Sequence, residues 1–405
     1  MSEIFEEYKA GWRDLLGATI GLGCGVAMYT PVTSMFFRSI EQEFHWSKTA
    51  IATSLIALPI TAVCLPITGR IIDRYGPRRT ALISAVLMAL SFVFLAKMTG
   101  ALLAFSGGVI AFNVLGSATG PICYMRPVTR SFTKARGAAI GIALSGVSLA
   151  GIFLAPLLGP VLARGGWRTG YLMLAAVGLF GGLVATLLIR PRPPARGGVQ
   201  TSEPLSFKEI IKQSAFWRLG LIIFAVSAAS VGFVSQLQNV AIDYGVPLRS
   251  TAPLLAILAL SVFFFRIIAG WCLDCRAPEL AAGFILAFSG LGLVLWLAAP
   301  GSFIFAILAT IALGVSVGAE HGILSFFCAR IFGLRHYSSV FGMLGVFLYL
   351  GMAAGGVGFA AVRDMTGSYR PAILGAIIVL LASGGAMYSL ANSAMIEKRE
   401  GVFEA

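Results

Sequence analysis

An arginine stands inside an apolar run, Phe263-Phe264-Phe265-Arg266-Ile267-Ile268-Ala269-Gly270. Its guanidinium is always charged and presents a planar fork of donors that fits a carboxylate bidentately. A second ionisable group occupies a comparable setting: Glu320, in Gly318-Ala319-Glu320-His321-Gly322. At 1.5 Å per helical residue, Arg266 lies about 12 Å from Asp274 and Glu320 about 15 Å from Arg330, similar depths from one face. Two readings of Arg266 stand. Either it binds the carboxylate of an incoming solute, or it forms a structural pair with an acid such as Glu320. A buried acid beside a cation can take up a proton when another anion displaces it, which is chemistry suited to coupling. His321 projects about 100° further round the helix, so it is either a relay or a packed neutral ring.

Different chemistry lies in Gly69-Arg70-Ile71-Ile72-Asp73-Arg74-Tyr75-Gly76-Pro77-Arg78-Arg79. Asp73 can cap a neighbouring helix N-terminus or pair with an arginine, and charged hydrogen bonds of this kind are strong yet reversible. Gly69 and Gly76 permit a tight turn. The spacing returns 201 positions later as Gly270-Trp271-Cys272-Leu273-Asp274, with Cys275 where the first copy has Arg74. A breakable latch built from Gly69, Asp73, Arg74, Arg78, Gly270 and Asp274 is the expectation. Cys272 and Cys275 make a C-x-x-C, but the six cysteines otherwise offer no disulfide or metal constellation. Arg126 has two readings, an anion-attracting group at a cavity mouth or one of a basic cluster with Arg130, Lys134 and Arg136.

The elements that must position these groups follow from composition. Of 405 residues, 58% are hydrophobic and 12% charged, with a mean hydropathy of +0.89. A soluble domain carries about twice that charge, so lipid is the expected surroundings. Twelve apolar spans are expected. In the first half they are 12–37, 49–68, 80–96, 101–125, 137–163 and 169–189. The second half supplies 215–240, 251–273, 277–299, 303–327, 337–362 and 371–391. An N-terminal bundle (1–190), a Pro/Gly/Arg-rich linker (191–214) and a C-terminal bundle (215–405) result. Gly151 and Gly351 add to the repeat, which argues for duplication. Of the 30 Lys and Arg, 21 fall on the side of the termini and 8 on the other, with Arg266 inside a span. That bias places both termini in the cytoplasm and accounts for the net charge of +13 without nucleic acid. The polar, acidic start predicts no cleavable signal peptide. No H-E-x-x-H, nucleophile motif or phosphate-binding loop occurs, so neither an enzyme nor a cofactor or metal site is expected.

The Gly69–Arg79 loop resembles the signature loop of the major facilitator superfamily. Arg136-Gly137-Ala138-Ala139-Ile140-Gly141 through Gly146, with Phe44-His45-Trp46-Ser47-Lys48-Thr49, is similar to the monocarboxylate transporter and oxalate:formate antiporter branch. The resemblance implies an all-α fold of two six-helix bundles and alternating access around a central site. It also implies that Arg266 binds the substrate carboxylate, since the branch carries an arginine at this place in the eighth span. Two departures bear on the substrate. The eleventh span holds Tyr349 and no cation where the oxalate antiporter has a lysine, and Val262 stands where the monocarboxylate branch often has an aspartate. One fixed cation suits one anionic group. Tyr29, Asn113, Tyr124 and Tyr349 are the other candidate substrate contacts, with Thr33, Gln236 and Asn239 at similar depth; each can equally be interhelical packing. The expectation is a monomeric carrier of a small organic monocarboxylate in a bacterial inner membrane, proton-coupled through Glu320 and His321. Rival readings are an exporter of drugs or neutral metabolites and a membrane receptor of organic acids.

Overall fold

The computed structural model describes residues 2–47, 56–190, 207–247 and 251–399. Every regular element among them is helical. The first half holds α1 (Ser2–Gly23), a 3-10 segment (Val26–Val32), α2 (Thr33–Phe44), α3 (Ala57–Tyr75), α4 (Pro77–Ala96), α5 (Leu102–Leu115), α6 (Pro121–Ser131) and α7 (Arg136–Leu188). After them come α8 (Phe207–Lys212), α9 (Ser214–Asp243), α10 (Thr251–Leu273), α11 (Pro278–Ala298), α12 (Phe303–Phe332), α13 (Tyr337–Thr366) and α14 (Arg370–Arg399). Part of the expected second span and most of the 191–214 linker lie outside the described residues.

Eight of these helices are long and apolar enough to cross a membrane, or ten if two bent pairs each count as one span. The bent pairs are α1 with the 3-10 segment, at 46°, and α5 with Ser117–Ser131, at 50°. Pro31 inside the 3-10 segment removes a backbone donor there. The long α7 contains two spans, because Gly166 (φ 69°) breaks its helical geometry. Side chains such as Leu103, Phe284 and Val357 are largely exposed although strongly apolar. A helix apolar all round with such an outer surface is a membrane span. Proline opens α4, α6 and α11 at the first turn, where its missing donor costs nothing.

Two compact units form. Unit 1 comprises residues 1–134, 142–191 and 336–343; unit 2 comprises 135–141, 192–335 and 344–405. The first turns of α7 therefore belong with unit 2, and those of α13 with unit 1. Unit 1 is centred on an aromatic cluster of Tyr29, Phe36, Phe92, Phe112 and Tyr171.

Candidate functional site

Each copy of the repeated loop ends a helix on an aspartate, and each aspartate caps another helix. In unit 1, Asp73 near the end of α3 faces the first turn of α13. The Ser338 amide donates to its Oδ1 at 3.3 Å, and Ser339 donates to its Oδ2 through both amide (2.8 Å) and hydroxyl (2.6 Å). Arg126 of α6 adds an ion pair, Nη1 to Oδ1 at 3.1 Å, while also donating to the Ile72 carbonyl at 3.2 Å. Arg126 is thus paired with the capping aspartate, a placement that neither sequence reading named. In unit 2, Asp274 just beyond α10 accepts from the Gly137 and Ala138 amides of α7 at 2.6 and 2.8 Å. The first amides of a helix have no partners within it, and the helix dipole favours negative charge there.

The glycines explain how the helices come so close. A Cβ at Gly69 would collide with the Ser338 carbonyl, and one at Gly270 with the Gly137 carbonyl. Gly76 (φ 85°) separates α3 from α4 in the turn that carries the basic residues. Arg74 lies over the Tyr75 ring, 5.4 Å from its centroid, and Arg78 sits in the first turn of α4.

Arg266 lies on α10, eight residues before Asp274. Its backbone is pinched from two sides. A Cβ on Gly141 of α7 would clash with its carbonyl, and one on Gly318 of α12 would come within 3.1 Å of its amide. Glu320, on the same α12, is buried at 2% exposure. Ser227 of α9 donates its hydroxyl to Glu320 Oε2 at 3.2 Å, and His321 Nδ1 is 3.5 Å from Oε1. Arg266, with Tyr349 of α13, is within electrostatic reach of Glu320, and His321 is within reach of Arg266. A second polar contact one turn away joins Ser230 and Ser316 at 2.9 Å. A cation, an acid, an imidazole and a phenol from three helices thus gather inside one apolar unit.

The Major Facilitator Superfamily profile matches residues 15–356. The chain belongs to that superfamily. Among curated proteins, this facilitator is 27% identical over 379 residues to monocarboxylate transporter 11 of Homo sapiens, covering 88% of the chain and 77% of the relative. It is 28% identical over 290 residues to monocarboxylate transporter 4 of Rattus norvegicus, covering 69% and 60%. The fold is similar to the E. coli fucose:proton symporter (TM-score 0.73, 15% identity, 92% and 97% covered). It is also similar to the human organic anion transporter MFSD10 (TM-score 0.72, 16% identity, 93% and 99% covered). The facilitator is therefore a multi-pass membrane transporter of the all-α superfamily fold, resembling the monocarboxylate branch, and not an enzyme.

The expected substrate contacts of this facilitator divide between its units. Arg266, Glu320, His321 and Tyr349 come together in unit 2. Tyr29, Asn113 and Tyr124 belong to unit 1. The Tyr29 hydroxyl meets that of Tyr171 at 3.0 Å inside the aromatic cluster, and Asn113 donates to the Val109 carbonyl one turn back at 2.9 Å. Tyr124 is fully buried against Gly21, where any Cβ would strike its ring. Sequence reasoning did not single out Ser227, Ser338 or Ser339. The serine pair had a findable signal: Gly137 and Ala138 lie 201 residues before Ser338 and Ser339, so one repeat's cap predicts the other's. Ser227 had none, because serine in an apolar helix is as often packing as function.

Proposed function

We propose that this transporter moves a small organic monocarboxylate by alternating access, with Arg266 as the anion anchor and a proton carried through Glu320. The observation that carries the reading is the placement of Arg266. It is a permanently charged fork within an apolar helix, seated by Gly141 and Gly318, with a buried acid in electrostatic reach. An intramembrane arginine is costly and by default marks a functional site. In the empty carrier Glu320 balances Arg266. An arriving carboxylate takes over the guanidinium, and the released glutamate accepts a proton rather than remain an unpaired charge. Similarity to monocarboxylate transporters supports the substrate class. The 21-to-8 bias of basic residues supports cytoplasmic termini; a bacterial inner membrane, inward transport and a monomer complete the proposal.

The test is a thermal-shift screen of purified protein against aliphatic and aromatic monocarboxylates. A ligand that binds only the folded state raises its melting temperature by mass action. At least one monocarboxylate should stabilise the native protein and fail to stabilise Arg266→Ala. Equal stabilisation of both proteins would place the anion site elsewhere.

A further inference from the structure

The second latch differs from the first in carrying two thiols on the turn that holds its aspartate. Cys272 is half-buried in the last turn of α10, and Cys275 is exposed just beyond it. The Cys275 amide donates to the Cys272 carbonyl at 3.4 Å, so the pair closes a single turn with Asp274 inside it. The two thiols are near enough to interact electrostatically. At the corresponding positions the first copy has Ile71 and Arg74, which no oxidant can join. We propose that Cys272 and Cys275 form a thiol-oxidation site, at which disulfide closure releases the Asp274 cap on α7.

The geometry supplies both the reaction and its consequence. Cys275 lies two residues beyond the end of α10, in the turn that its amide closes onto the Cys272 carbonyl. On the spacing of a helical turn, with Cβ atoms three residues apart about 5–6 Å from one another, the roughly 3.5–4.5 Å of a disulfide tightens that turn by roughly 1–2 Å. Asp274 rides on that turn and holds two amides at 2.6 and 2.8 Å. Displacement by such an amount takes a hydrogen bond beyond its useful range. The α7 amides then lose their acceptor, while the Asp73 cap in unit 1 is untouched.

The oxidant class is a low-molecular-weight disulfide such as oxidised glutathione. The Cys275 thiolate, the more accessible, attacks one glutathione sulfur and expels the other as a thiolate. Cys272 then attacks the Cys275 sulfur of the mixed disulfide and expels the second glutathione. Two protein thiols become one disulfide, one glutathione disulfide becomes two thiols, and the two protons pass from protein to glutathione. A dithiol reductant reverses both steps.

The site acts on the latch whichever solute is carried, and its test needs no substrate. Purified full-length transporter is treated with excess oxidised glutathione, and then with dithiothreitol. Mass spectrometry of the peptide spanning both cysteines should show loss of two hydrogens. Amide hydrogen exchange at Gly137 and Ala138 should rise about tenfold, the change expected for loss of one charge-assisted hydrogen bond, and should fall again on reduction. Cys272→Ser and Cys275→Ala should show neither effect. Asp274→Asn should exchange faster before treatment and gain little more after it. A stable glutathione adduct on Cys275 without an internal disulfide would overturn the proposal. So would a disulfide that leaves exchange at the start of α7 unchanged.

Discussion

The two Gly-x-x-x-Asp latches proposed here are copies 201 residues apart, and they differ in the residues around them. Asp73 and Asp274 each cap a helix that begins against a glycine, Gly69 or Gly270. Asp73 gains a third hydrogen bond from the Ser339 hydroxyl and an ion pair from Arg126. Asp274 accepts from the backbone amides of Gly137 and Ala138 at the start of α7. Eight residues before each aspartate the halves diverge again. Leu65 stands in α3 and Arg266 in α10. Both backbones are approached by a glycine of the capped helix, Gly342 at Leu65 and Gly141 at Arg266. Close backbone packing is therefore a property of the latch itself. The charge at position 266 is an addition to it. The second copy thus carries the proposed anion anchor on the same helix as its cap, eight residues from Asp274.

The largest test of this division is a pair of alanine substitutions. Arg266→Ala should reduce monocarboxylate affinity by about thirtyfold or more, since truncating one side of a buried charge pair costs about 2–5 kcal/mol. Leu65→Ala removes a side chain only 5% exposed and should instead lower stability by about 2–5 kcal/mol with affinity retained. Ligand titration and thermal unfolding of both variants separate the outcomes. Equal loss of affinity would show that the two positions are not specialised.

Next in size is the cap. Asp73→Asn removes the charge that Arg126 and the Ser338 and Ser339 donors share, at nearly constant volume. Initial uptake per unit of protein in the membrane should fall about ten- to thirtyfold, the range expected for weakening a hydrogen bond to a charged group. Asp274→Asn weakens the acceptor of the Gly137 and Ala138 amides and should likewise lower initial uptake about tenfold. Unchanged uptake in Asp274→Asn would show that the second cap takes no part in transport.

Much of this contrast was legible before any coordinates. Apolar runs gave the helices, the repeated Gly-x-x-x-Asp gave the latches, and burial of a charge in an apolar run marked Arg266 and Glu320. Periodicity alone cannot say what an aspartate at a helix end will face, because that depends on a helix more than a hundred residues away. The serines at the start of α13 stayed hidden for that reason, as did the commitment of Arg126 to Asp73 and Ile72. Tyr29 shows the converse. In sequence this aromatic hydroxyl at mid-span reads equally as a ligand contact or as packing, and in the structure its ring packs with Phe36, Phe92 and Tyr171. Tertiary contacts decide between glue and site, and a single sequence does not carry them.

A smaller effect concerns pH, and it sharpens what the second half has gained. Glu320 is held by Ser227 and His321 within reach of Arg266. Glu320→Gln keeps the hydrogen-bonding shape but can neither lose nor gain the proton. Uptake by the native carrier should rise as external pH falls, and the glutamine variant should show a flat profile while still exchanging internal for external solute. A glutamine variant that retains the full pH dependence would leave Glu320 as a structural partner of Arg266 alone.

The smallest change should come from Arg126→Gln, and it tests how much the ion pair adds to the Asp73 cap. Arg126 is half-buried and its pair with Asp73 spans 3.1 Å. A partly exposed pair is worth about 1 kcal/mol or less, and Asp73 keeps all three of its bonds to α13 when the guanidinium is lost. Uptake should fall about two- to fivefold, with no change in carboxylate affinity. In the Arg126→Gln background Asp73→Asn should cost less than it does in the native chain, because part of what the substitution removes is already gone. The double-mutant cycle makes the comparison quantitative. Residues in one hydrogen-bonded network show a coupling of about 0.5–3 kcal/mol, whereas independent sites add. Strict additivity would mean that Arg126 acts on transport by a route other than Asp73. A fall in affinity as large as that of Arg266→Ala would move Arg126 from the latch to the solute site.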